Sequence, residues 1–219
     1  MPCLFLKFRT MTRQKIKNKA IKAVFFDIGN VLLHFNPSEI LRRMAFVVGR
    51  HPFKVARYFW SSRIGEAVER GKISPRQLYG IFCSELGYRG NWKNFRLLWC
   101  DHFTLNRGTA DLLRKIANSH RVYLLSNTNS LHYDFIRERF SFTRHVHGAI
   151  LSYKLGLRKP EPEIYMAALR IARVKPDQAV FIDDLRKNVE AARNLGIYAL
   201  LYKDLKVLKR DLADLGVLP

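Results

Sequence analysis

Apolar residues along this chain fall into two rhythms. Short unbroken runs, Ala23 to Phe26, Val122 to Leu125, Gly148 to Leu151, Ala179 to Ile182 and Tyr198 to Leu201, have the length and residue types of buried strands. Between them lie segments with helical spacing, such as Ile164, Ala168 and Ile171 after Pro162, or Val189, Ala192 and Leu195 stopped by Gly196. Strands alternating with helices predict an α/β fold: a parallel sheet in the middle of three layers, with helices on both faces.

One stretch breaks the alternation. Residues 37–106 are aromatic-rich and mostly helical in pattern, with Phe46, Tyr58, Phe59, Trp60, Trp92, Phe95 and Trp99 among them. They read as a helical cap inserted after the first strand, with most of the aromatics forming its core. The expected organisation is therefore a basic tail over 1–21, a core made of 22–36 and 107–219, and a cap over 37–106. The tail carries Lys7, Arg9, Arg13, Lys15, Lys17 and Lys19 behind a very short apolar patch, which is the wrong order for a secretory signal. It reads as a flexible arm, or as the product of a start placed too early, with Met11 the alternative.

The strands end on polar residues. The first run stops at Asp27, the second at Ser126-Asn127 and the fourth at Asp183-Asp184. A doubly wound sheet binds ligands outside the carboxyl ends of its strands, so topology alone brings these groups together. Phosphoryl transfer to a carboxylate needs an anionic nucleophile, cations against charge repulsion, and donors for the phosphate oxygens. Asp27 would supply the nucleophile, and Asp184 with Asp183 beside it would complete a cage of hard oxygens suited to Mg²⁺. Ser126, Asn127 and nearby backbone N–H groups would hold a phosphate oxygen, and Lys159 would bring a positive charge to both nucleophile and phosphate. Each of these alone has a bland reading as a turn cap or a solvated lysine.

Their order changes the weighting. Phe25-Phe26-Asp27-Ile28-Gly29-Asn30-Val31-Leu32, then Leu124-Leu125-Ser126-Asn127-Thr128-Asn129, then Arg158-Lys159-Pro160-Glu161-Pro162, then Phe181-Ile182-Asp183-Asp184 followed by Asn188, resembles the four motifs of the haloacid dehalogenase-like superfamily. The match runs through nearly the whole chain beyond Lys22. It looks most like the sugar-phosphate phosphatases similar to α-D-glucose-1-phosphate phosphatase, and like the amino-terminal phosphatase domain of soluble epoxide hydrolases. The Glu69-Arg70-Gly71-Lys72-Ile73-Ser74 segment also resembles the cap of the first group. The resemblance implies a Rossmann-like core, a small helical cap that opens and closes, and an Mg²⁺-dependent phosphohydrolase working through an aspartyl-phosphate. It places the backbone carbonyl of Gly29 on the metal with Asp27 and Asp184, and Asp183 behind them.

One position departs from that pattern. The usual phosphatase has a second Asp two residues after the nucleophile, to protonate the leaving oxygen and then activate water; here Gly29 stands there. General acid–base help is worth roughly two to four orders of magnitude in rate. His34 is the nearest titratable residue in sequence, though a lone His there reads more simply as a surface or packing residue. An anomeric sugar phosphate depends less on protonation, so the gap agrees with glucose 1-phosphate as substrate. It agrees equally with a 2-haloacid dehalogenase, whose halide leaves without a proton, or with a non-catalytic descendant that binds a phosphorylated ligand or nucleic acid.

Composition adds limits. The formal net charge is +21, enough to attract polyanions or phosphorylated metabolites. The basic residues are spread along the chain with no interleaved aromatic and basic motif, so a small phosphorylated molecule is the expected partner and nucleic acid is not. No apolar run is long enough to span a bilayer. Cys3, Cys83 and Cys100 are scattered and read as reduced thiols, which with the absent signal suggests the cytoplasm. Within the cap, Trp60, Arg63 and Glu66 are the candidates for lining a substrate pocket.

Overall fold

The computed structural model describes residues 20–219. Most of the basic tail, together with Cys3 and Met11, lies outside the described residues, as does the side chain of Trp60.

The strands in chain order are β1 (Ala23–Phe26), the two-residue β2 (Leu33–His34) and β3 (Thr104–Leu105), β4 (Arg121–Ser126), β5 (Gly148–Leu151), β6 (Ala179–Asp183) and β7 (Tyr198–Leu201). Five of them form one sheet in the order β5-β4-β1-β6-β7, and every neighbouring pair is parallel. The expected α/β, Rossmann-like sheet is what the chain forms. Alternation along β1 shows why it needs helices on both faces. Val24 and Phe26 join the apolar cluster on one side, while Ala23 and Phe25 join that on the other. All four are buried, as a central parallel strand requires.

The helices of the core are α6 (Arg107–Ile116), α7 (Ser130–Arg139), α8 (Ser152–Leu155), α9 (Pro162–Ala172), α10 (Arg186–Asn194) and α11 (Leu205–Asp214), preceded by α1 (Pro37–Val47), α2 (Pro52–Ser61), α3 (Ile64–Glu69), α4 (Pro75–Leu86) and α5 (Trp92–Cys100). On α9 the buried stripe runs through Ile164, Ala168 and Ala172, and Ile171 faces out. A helix continuing at 3.6 residues per turn carries position 171 past the sheet-facing edge.

Helices α1 to α5 pack around a separate aromatic cluster. Ser74 and Gln77 close a capping box at the start of α4, and Gly87 takes the left-handed conformation (φ 74°) that ends it. Phe95 is fully buried there, with the rings of Tyr79, Phe82, Tyr88, Trp92 and Trp99 at 5.0 to 6.1 Å. Among the described side chains, Phe46 departs from the expected aromatic core, standing 87% exposed on α1. Leu131 and Phe135 of α7 complete this cluster, while Tyr133 and Ile136 of the same helix face the sheet. The β2–β3 ribbon, pairing Leu33 with Leu105, ties the two ends of the helical segment to each other. Among the described residues no helix is long and apolar enough to cross a membrane.

Removing the Phe95 ring leaves a void that five rigid rings cannot close. Phe95→Ala should lower the unfolding free energy by about 3–5 kcal/mol, measured by urea titration; a loss under about 1 kcal/mol would mean the cluster does not hold the helices together.

Candidate active site

Register builds the centre of the site. Phe26 pairs with Ile182 in β6, and the Asp27 N–H donates to the Ile182 carbonyl at 2.9 Å, so Asp27 and Asp183 leave adjacent parallel strands at the same level. Asp184 follows by one residue. Asp27, Asp183 and Asp184 each offer a carboxylate oxygen within 4.8 Å of the others.

Three carboxylates this close repel one another, and the protein answers with one buried cation. Lys159 Nζ lies 2.9 Å from Asp27 Oδ1 and 2.6 Å from Asp183 Oδ2. Burial by itself would drive the ammonium to lose its proton, but the two carboxylates outweigh it and hold the Lys159 pKa above the usual lysine value. Asp27 is pushed up to about 6, chiefly by burial, with the Asp183 charge adding to the rise and Lys159 opposing it. Asp184 is raised as well, again chiefly by burial.

Each charged group is held by neutral partners. Asn188 Nδ2 donates to both oxygens of Asp183 at 2.9 and 3.1 Å, and the Leu185 N–H donates to Oδ1 at 2.8 Å. The Ile28 N–H donates to Asp27 Oδ1 at 2.8 Å. Asn30, in the left-handed region (φ 52°) that asparagine tolerates, reaches Asp184 Oδ2 with its amide at 3.2 Å. Lys159 is positioned by a reciprocal pair: its N–H donates to Asn127 Oδ1 at 2.8 Å, and Asn127 Nδ2 donates to its carbonyl at 2.9 Å. Both ends of the Asn127 amide are therefore engaged by the backbone of Lys159. Thr128 is fixed in the same way, with Ser152 Oγ accepting from its N–H and donating to its carbonyl, both at 2.9 Å.

The clustered donors are hard carboxylate oxygens, the set that a small divalent cation such as Mg²⁺ prefers over thiolate- or imidazole-seeking metals.

A cavity of about 170 Å³ adjoins this cluster, lined by Gly29, Ser126 and Asn127 on the sheet side and by Glu69, Trp99 and His102 on the helical side. A larger groove lies apart from it, along Met166, Arg170 and Arg173. Gly29 has a steric reason. A Cβ built there would stand 2.8 Å from Phe35 Cε1, so the ring occupies the space that an acidic side chain would need. His34 is exposed on β2 and does not line the cavity. Arg63 is exposed before α3, and Glu66 bonds Arg70 at 2.9 Å instead of facing the cavity. Sequence patterns missed two residues that do line it, His102 and His132.

Ion pairs fasten the helical segment beside Lys159. Arg70 bonds Glu161 and the Gly156 carbonyl, while Arg158 reaches Glu69 at 2.7 Å. The charged residues flanking the motif lysine thus hold α3 over the strand ends.

Residues 21–196 match the family of haloacid dehalogenase-like hydrolases. The chain belongs to that family. The family and the hydrolase class expected from the four ordered motifs are met. This haloacid dehalogenase-like hydrolase is 26% identical over 189 residues to a D-ribitol-5-phosphate phosphatase of Bacteroides thetaiotaomicron, covering 80% of the chain and 89% of the relative. It is 28% identical to a sesquiterpene phosphatase of Aspergillus oryzae, covering 84% and 90%. Among solved structures, a magnesium complex of a haloacid dehalogenase family enzyme from Bacteroides thetaiotaomicron superposes with a TM-score of 0.76 at 26% identity, covering 88% of the chain and all of that structure.

Two predictions concern the walls of the site. Gly29→Ala should destabilise the protein by about 1–3 kcal/mol through overpacking, and Phe35→Leu in the same chain should recover part of that loss; additive effects in a double-mutant cycle would dismiss the clash. Burial pushes His102 down to about 4 and His132 down to about 3, so between these values and about 6.5 the unfolded chain binds protons that the folded one does not. Their contribution is complete at neutral pH and is lost as pH falls, with a slope of up to about 1.4 kcal/mol per pH unit for each. Asp27 acts in the opposite sense, since its raised carboxyl takes up a proton in the folded state. Comparing unfolding free energies from pH 7 to 5 in the native protein and in His102→Asn isolates the histidine: the variant should lose less on acidification, and identical slopes would show that His102 is not buried neutral.

Proposed function

We propose that this hydrolase is an Mg²⁺-dependent phosphatase of a small phosphorylated metabolite, with a sugar phosphate such as glucose 1-phosphate favoured. The observation that carries this is the meeting of Asp27, Asp183 and Asp184 around a buried lysine at the strand ends. Relatives named as phosphatases, and a solved relative holding magnesium, support it.

Asp27, Asp184 and the Gly29 carbonyl would hold the cation, with Asp183 keeping Lys159 and the cluster in place. When bound, the cation supplies positive charge against which a phosphate dianion can approach carboxylates. Asp27 Oδ1 is already held by Lys159 and the Ile28 N–H, so Oδ2 is the oxygen assigned to attack phosphorus. The Oδ2–P bond forms as the P–O bond to the alcohol breaks, giving an aspartyl-phosphate and an alkoxide that takes a proton from solvent or from the substrate. Water then attacks phosphorus and returns the carboxylate. Lys159 stays charged throughout and faces both Asp27 and the incoming phosphoryl oxygens, while Ser126 and the backbone of Asn127 donate to the phosphate. The helical segment acts as a cap, and its ion pairs to Arg158 and Glu161 favour closure over the site.

Phe35 at the acid's place makes protonation of the leaving oxygen weak, which suits esters with good leaving groups. The same gap would suit a 2-haloacid dehalogenase, but a halide-displacing site has no use for three convergent carboxylates.

Asp27→Asn should reduce hydrolysis of every ester to background with the circular dichroism spectrum unchanged, because an amide cannot form the acyl phosphate. Asp184→Ala should remove the magnesium dependence together with the activity. Assays of sugar phosphates and haloacids with and without Mg²⁺ decide the matter: halide release without metal, or full activity in Asp27→Asn, would overturn the assignment.

A further inference from the structure

Two phenylalanines stand out from the helical segment. Phe46 is 87% and Phe53 68% exposed, and Val47 beside the first is 48% exposed. α1 ends at Val47 and α2 begins at Pro52, so all three sit where the two helices meet the short turn between them. Gly49 takes the left-handed conformation in that turn (φ 63°), and the Arg50 N–H donates to the Ala45 carbonyl at 2.9 Å. The rings are not misplaced core. Met44 and Ala45 on α1 and Val55 on α2 are buried in the aromatic cluster, which fixes the inner face of each helix and leaves Phe46 and Phe53 on the outer one. Single exposed apolar residues are ordinary, but two large rings and a valine at one turn make a patch.

Charge decides what the patch can meet. From Ile40 to Gly65 the chain carries Arg42, Arg43, Arg50, Lys54, Arg57 and Arg63 and no Asp or Glu. Arg43 turns back to donate to the Asp101 carbonyl at 2.8 Å, and Arg63 lies beyond the far end of α2. The other four are exposed. Arg42 comes four residues before Phe46 and Arg57 four after Phe53, so each ring shares a helix face with a cation one turn further from the tip. Arg50 and Lys54 flank the turn itself. Glu66 and Glu69, the next acids along the chain, are held by Arg70 and Arg158.

Apolar rings foremost, with long cationic side chains about 5 Å behind them, is the order of groups that a lipid surface accepts. The rings enter the boundary between headgroups and acyl chains, and the cations stay at the level of the phosphates. A second copy of the chain fits less well, because it would bring the same four cations against these four. Single-stranded nucleic acid is bound in a groove that tracks its backbone, whereas these rings project from a helix–turn–helix tip.

We infer that the α1–α2 turn docks on a bilayer carrying anionic phospholipid, with Phe46 and Phe53 inserted and Arg42, Arg50, Lys54 and Arg57 against the headgroups. The docking surface is separate from the reaction at Asp27. Ile40 lines the cavity there, and Phe46 lies six residues, about 9 Å, further along α1.

The test is flotation of the full chain with vesicles of phosphatidylcholine alone and of phosphatidylcholine mixed with phosphatidylserine. The net charge of +21 draws the protein to any anionic surface, so the informative variant keeps every charge. Phe46→Ser with Phe53→Ser should lower binding to the phosphatidylserine vesicles by about 10- to 100-fold, with the circular dichroism spectrum unchanged. Met166→Ser with Ile171→Ser removes two half-exposed apolar side chains from α9 and should leave binding unchanged. Arg50→Gln with Lys54→Gln should lower it by about 10- to 30-fold. Absence of binding, equal binding to both kinds of vesicle, or binding that survives the loss of both rings would each overturn the docking site. So would self-association, or retention of single-stranded RNA, that the same pair of substitutions abolishes, since the rings would then belong to a second copy or to nucleic acid.

Discussion

The buried ammonium of Lys159, shared between Asp27 and Asp183, is the contact on which the rest of the molecule depends. Without it two carboxylates would face each other at the ends of adjacent strands in a region that excludes water. Breaking a buried ion pair by removing one partner typically costs 3–5 kcal/mol, because the remaining charge is stranded. The surrounding polar groups are arranged around that fact. Asn188 and the Leu185 N–H orient Asp183, the Asn127 amide clamps the backbone of Lys159, and Ile28 donates to Asp27. A cluster so expensive to bury is weak evidence for stability and strong evidence for chemistry.

The fold makes this cluster possible at low structural cost. Parallel strands in register deliver Asp27 and Asp183 at one level, so no loop has to find its own conformation to bring them together. Helices α1 to α5 are then anchored next to the same centre. Arg158 and Glu161 flank Lys159 by one and two residues, and they pair with Glu69 and Arg70 of the helical segment. Placement of the lysine and seating of the segment are therefore mechanically linked, although these pairs are part-exposed and each is worth little alone.

Gly29 shows how one residue reshapes the site. The family pattern places an acid there; in this chain Phe35 fills the space, and the aromatic wall continues through Phe103 toward His102. The cavity gains an aromatic wall in exchange for a proton donor beside the nucleophile.

Local pattern alone was enough to read the strand runs, the strand-end carboxylates and the order of the four motifs, because a buried strand writes its burial into consecutive residues and a parallel sheet fixes where its ends meet. The same pattern placed Lys159 among the site residues but could not show that its charge is divided between two aspartates. Other features were beyond it. Phe35 and Gly29 are six residues apart and collide only because β2 turns back. Glu66 looks like a pocket residue until Arg70 is seen beside it, and His102 and His132 are thirty residues apart on different elements. Periodicity reports which face of an element is buried; the partner across the gap, and whether a buried nitrogen has one, is set by tertiary packing between segments that carry no trace of each other in sequence.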